Sequence, residues 1–131
     1  MTKFLNPRNA PFPQYGLNPG AAANGMVFAG GMAFDFDTMQ RRADAVSVPV
    51  ETRLCLEEIE EIIAEAGCTK RDIVKVTAYL SDDSYRAEFW GAFKEFFDPG
   101  PYPARCTFVV GIAGGCRVEL DAIAVQPKAN A

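Results

Sequence analysis

Two residues near the carboxyl-terminal end carry most of the chemistry this chain can offer. Arg105 opens the stretch RCTFVV, and Glu119 lies within VELDAIAV. A guanidinium presents a rigid fork that pairs both oxygens of a small carboxylate, and a carboxylate beside it can orient or activate a water. The chain contains no histidine, so Ser-His, Cys-His and His-metal chemistry are absent. Two strands, roughly Arg105–Val110 and Arg117–Val125, are joined by the glycine-rich GIAGGC segment, and a β-hairpin is expected to bring Arg105 and Glu119 together. The competing expectation is structural: Arg105 simply bonds Glu119 or Asp121 across that hairpin. Asp121 shares the strand face of Glu119 about 7 Å further along, and alternation sends Cys106 to the face opposite Arg105, where it is expected to be inert.

Composition bounds the rest. With 131 residues, 49% apolar and 23% charged, the chain is expected to fold as one domain over residues 1–131 with a substantial core. Its net charge of −4 disfavours nucleic acid as a partner, because phosphate binding relies on clustered Lys and Arg. No segment has the roughly 20 consecutive apolar residues of a membrane helix. The opening MTKFLNPRNAPFPQYG lacks the apolar core of a signal peptide. Cys55, Cys68, Cys106 and Cys116 are far apart and form no CxxC pair, so buried free thiols, no metal site and a cytoplasmic location are expected.

The elements that must position Arg105 and Glu119 follow from periodicity. Residues 5–25 read as an irregular arm rich in Pro, Gly, Asn and Ala. A short strand is predicted around Met26–Ala29, with Gly30 and Gly31 following it either as a plain turn or bulge or as a place where another group approaches the backbone. DFDTMQRRADAVSV reads as an exposed excursion. Cys55, Leu56, Ile59, Ile62, Ile63 and Ala66 form an apolar stripe at helical spacing between Pro49 and Gly67, with glutamates over the rest of the surface. DIVKVTAYL (72–80) alternates as a strand. SDDS then caps a second helix whose Phe89, Phe93, Phe96 and Phe97 face the core, leaving Tyr85 and Trp90 beside that stripe. The order implies an α+β sandwich, two helices on one face of a mixed sheet, with the other face apolar enough to be covered by another subunit.

Set in order, these segments resemble a known family. PAR (103–105), then VELDAIAV (118–125), preceded by ETRLCLEEIEEIIAEAG, DIVKVTAYLSD and FKEFFDPGPYPAR, resemble the RidA/YjgF proteins over nearly the whole chain. The resemblance implies a chorismate-mutase-like fold, a homotrimer around a central β-barrel, and three sites in the clefts between subunits. It also implies cofactor-independent hydrolysis of 2-aminoacrylate-type enamines and imines to 2-keto acids and ammonia. By position, Arg105 matches the carboxylate-binding arginine, Glu119 the glutamate at the reactive water, Tyr15 a tyrosine at the site's rim and Gly31 the glycine after the first strand. Departures surround them. Gly30 stands where serine is usual, Met32 where a polar or small aliphatic residue is common, Trp90 where asparagine is frequent, and Thr107 where cysteine is frequent. The chain looks closer to the branch of pyrimidine-catabolism aminoacrylate deaminases. A specialised deaminase of pyrimidine or aromatic catabolism and a non-catalytic binder of small carboxylates are the alternatives. Acidic charge and the lack of histidine leave a ribonuclease or translation inhibitor the weaker reading.

Overall fold

The computed structural model describes residues 1–128. Its strands are β1 (Lys3–Leu5), β2 (Gly20–Ala23), β3 (Met26–Met32), β4 (Phe34–Asp35), β5 (Gln40–Arg41), β6 (Ile73–Leu80), β7 (Ala104–Val109) and β8 (Val118–Val125), and its two α-helices are α1 (Val48–Ala64) and α2 (Arg86–Phe97). Ser47 starts α1, its hydroxyl accepting from the Val50 amide at 3.3 Å, with proline in the first turn. The stripe at Cys55, Leu56, Ile59, Ile62 and Ile63 is buried, and full burial of each large aliphatic chain contributes about 1.5–3 kcal/mol. In α2 the rings of Phe89, Phe93 and Phe97 run in contact along the buried side, with centroids 5.6 and 4.9 Å apart.

The main sheet has the order β1-β2-β3-β8-β6-β7, antiparallel throughout except for the parallel β6–β7 pair. Val27, Ala29, Val76, Ala78, Val118, Leu120, Ala122 and Ala124 alternate onto one face and meet both helices in a single core cluster. The mixed α+β fold with two helices is therefore as expected. The opposite face carries no helix, and it leaves Phe4, Phe28 and Phe108 between 42% and 65% exposed. None of the helices is long and apolar enough to cross a membrane among the described residues.

Three local expectations are corrected. The arm over residues 5–25 is not wholly irregular: it contributes β2, and β1 begins before it. The first central strand runs on through Gly30 and Gly31 to Met32, and the excursion after it holds the small β4–β5 pair. The largest correction concerns the hairpin. β7 and β8 are not neighbours, because β6 lies between them. The Val110 amide bonds the Leu80 carbonyl and the Ser81 amide bonds the Arg117 carbonyl, so residues 111–117 cross over the end of β6 instead of folding back beside β7.

Candidate active site

Arg105 is registered against Val76, whose other neighbour is Ala122, and so it points to the helix side of the sheet. There its guanidinium lies over the α2 rings, 5.0 Å from the Phe93 centroid, 5.5 Å from Phe89 and 6.0 Å from Trp90. Its Nη1 donates to the Thr107 hydroxyl at 2.5 Å. No carboxylate pairs with Arg105 among the described residues. Burial, then the nearby Arg86 charge, lowers its pKa from the usual arginine value. A cation resting on aromatic faces without a counter-ion is a ready anchor for an incoming anion. Arg105, Thr107 and Trp90 thus form one group.

Glu119 belongs to the other face. It alternates between buried Val118 and Leu120 and is registered between Met32 of β3 and Tyr79 of β6. Asp121 shares its face opposite Gly30. Burial, and next the Asp121 charge, raises the Glu119 pKa above the ordinary carboxylate value, and burial raises that of Asp121. Both line a cleft of about 740 Å³ together with Gly30, Gly31, Met32 and Leu17. A shallower hollow of about 400 Å³ connects the same two carboxylates to Tyr79 and the Val110–Gly111 turn. Within one copy Arg105 and Glu119 do not meet, and the cross-hairpin ion pair does not exist. Their registers differ by three residues along β6, about 10 Å, and by two strand spacings of about 4.8 Å, and they face opposite sides.

Gly31 borders the cleft, but the space at its missing side chain is taken by α1. A Cβ there would lie 2.3 Å from the Cys55 carbonyl oxygen of α1, so its missing side chain lets the helix approach β3. Gly30 is the glycine with room, its nearest neighbour to an added Cβ being the Leu120 carbonyl oxygen at 3.9 Å. Tyr15 stands outside the cleft lining: its ring stacks on Phe36 at 5.4 Å and its hydroxyl lies 3.9 Å from the Met39 sulfur. Of the thiols, Cys55, Cys68 and Cys116 are buried, whereas Cys106 is exposed, against the expectation of four buried ones. No group of three or more His, Cys, Asp or Glu could hold a metal ion among the described residues.

Two glutamates support this site from α1. Fully buried Glu51 accepts from the Arg117 amide and Nε, both at 2.7 Å, and from the Val118 amide at 3.1 Å, which fixes the start of β8 just ahead of Glu119. Glu58 accepts from the Met32 amide at 3.3 Å and from Arg42 Nη1 at 3.1 Å, while burial raises its pKa against those two partners. In the sequence the glutamates of this helix read as its solvated surface, and the structure buries Glu51 fully and Glu58 largely. The signal was present, since positions 51, 55, 58 and 62 follow the 4-3-4 spacing of the buried stripe.

The chain is similar in sequence to a RutC family protein of Synechocystis sp., at 33% identity over 127 residues covering 95% of this chain and 97% of the relative. It is 32% identical over 114 residues to the 2-iminobutanoate/2-iminopropanoate deaminase of Bos taurus, covering 86% of this chain and 69% of that protein. Its fold superposes on the crystal structure of Escherichia coli TdcF with bound serine, with a TM-score of 0.81 at 29% identity, covering 95% and 99% of the two chains. Residues 7–126 match the family described as Endoribonuclease L-PSP, and with that match the strand-end pattern at Arg105 and Glu119 has its context: the chain belongs to the RidA/YjgF family.

Proposed function

We propose that this protein is a cofactor-independent deaminase that hydrolyses 2-imino acids, or their enamine tautomers, to 2-keto acids and ammonia at sites shared between subunits of a homotrimer. The observation that carries the reading is Arg105, a guanidinium seated on the α2 rings with no carboxylate partner among the described residues. Relatives named as imine deaminases support the reaction class. The apolar, helix-free sheet face supports assembly, and a central β-barrel is the closure the family resemblance implies.

In this scheme Arg105 of one copy holds the substrate carboxylate, helped by Thr107 and Trp90. Glu119 of a neighbouring copy takes a proton from water as the oxygen adds to the iminium carbon, and the proton returns to nitrogen. The hydroxyl proton then passes to Glu119 as the carbon–nitrogen bond breaks, a carbonyl forms, and ammonia leaves. Charge-assisted bonds such as that of Arg105 contribute about 1.5–3 kcal/mol, and a general base contributes about 10²–10⁴ in rate.

The test generates imino acids in place with an amino-acid oxidase and follows the rate of their hydrolysis. Arg105→Ala should reduce kcat/KM by at least tenfold, and Glu119→Gln should reduce kcat by about 10²-fold. Co-refolding the two inactive variants should restore about a quarter of wild-type activity if each site draws one residue from each of two copies. No recovery would sink the shared site. A non-catalytic binder of small carboxylates is the second reading, favoured by Gly30, which offers no hydroxyl on the strand face shared by Glu119 and Asp121. Tight binding of 2-keto acids without any turnover would establish it instead.

A further inference from the structure

The cleft at Glu119 has a wall that the hydrolysis of a small imine does not need. Phe12 and Phe36 meet edge to face at 4.9 Å, Phe34 and Phe36 do so at 5.2 Å, and Tyr15 stacks on the far side of Phe36. None of the four rings belongs to the buried core, and Phe12, Phe34 and Phe36 are only half-buried. A cluster that served only to tie the arm to the sheet would bury its faces, whereas these three rings line the cleft.

Their placement is fixed relative to the carboxylates. Met32 is paired directly with Glu119, and Phe34 follows two residues later, past the end of β3, as the first residue of β4. The Phe34 ring is seated against the 113–115 turn, where a Cβ on Gly114 would come within 2.6 Å of it and where the backbone φ of +68° already favours glycine. The cleft that runs from Glu119 to Phe12 encloses about 740 Å³. Pockets for drug-sized ligands measure roughly 300–1,000 Å³, and a three-carbon imino acid would leave most of this space unfilled.

We infer that Phe12, Phe34 and Phe36 form a side-chain subsite for substrates carrying an aromatic group, namely 3-aryl-2-imino acids. The aryl ring packs against these faces in offset or edge-on contact while the imine carbon stands at Glu119. The inference rests on the deaminase reading of the same site.

Binding and turnover separate the two. Calorimetry on the wild-type protein compares 3-phenyl-2-oxopropanoate with pyruvate, and the oxidase-coupled assay compares imino acids made from phenylalanine and alanine. The aryl keto acid should bind at least about tenfold more tightly. Phe36→Leu, which keeps bulk and removes the ring, and Phe36→Ala should both pull that ratio towards one. Equal, weaker or undetectable aryl binding overturns the subsite. Turnover of both imino acids without aryl preference in either assay overturns it too, and leaves the deaminase standing. Preferential aryl binding with no turnover of either substrate sustains the subsite and removes the deaminase.

Discussion

Asp121 lies on the face of Glu119, and its charge adds to burial in holding the Glu119 carboxyl above its ordinary pKa. If Glu119 must be ionised to take a proton from water, the acid limb of kcat/KM follows its titration. Asp121→Asn removes the like charge, lowers the Glu119 pKa, and should move that limb to lower pH in a pH–rate profile. An unmoved limb would mean that Glu119 is not the titrating base. The neighbouring glycines should separate cleanly under substitution. Gly31→Ala drives a methyl into the α1 backbone and should cost about 1–3 kcal/mol in chemical denaturation. Gly30→Ser meets open space and should change stability by less than about 0.5 kcal/mol, while placing a hydroxyl opposite Asp121 on the face that carries Glu119. At this scale the sequence was informative about residue type and poor about contact. It singled out Arg105 and Glu119, but the aromatic seat of Arg105 comes from the packing of α2 against the sheet, and the neighbours of Glu119 come from strands distant in sequence.

Between residues and fold stand the elements, and here Glu51 matters most. Its buried carboxylate joins α1 to the first residues of β8 through three hydrogen bonds. Glu51→Ala leaves the Arg117 guanidinium largely buried with a lost partner and should destabilise by about 3 kcal/mol in urea unfolding. A loss under about 1 kcal/mol would show that water replaces the carboxylate readily. The helices were legible because a 3.6-residue period is local, and β6 and β8 were legible because alternation is local too. Strand pairing was not. The adjacency of β6 and β7 is a long-range parallel contact with no local signature, and the Gly-rich 111–116 segment looks like a hairpin turn while it bridges over the end of β6. The same limit hid β1, only three residues long, and β2, whose Gly-Ala-Ala-Ala run has weak strand propensity and is drawn into the sheet by pairing with β3.

For the whole molecule, the decisive feature is a sheet covered on one side only. Phe28 sits on the open face in register with Ile123, amid further exposed apolar side chains. Phe28→Glu should shift sedimentation towards a single copy and abolish turnover together, because charge on that face opposes association. Retained assembly after this change would place the interface elsewhere. The opposed orientations of Arg105 and Glu119 carry a further consequence. If the site is shared between copies as proposed, a single chain, whose Arg105 and Glu119 look away from each other, should have little activity alone, and specific activity should depend on protein concentration. Dilution below the dissociation constant of the assembly should then remove activity without unfolding the chain. By linkage, a carboxylate ligand that bridges two copies should tighten their association, so substrate itself would protect the protein against loss on dilution.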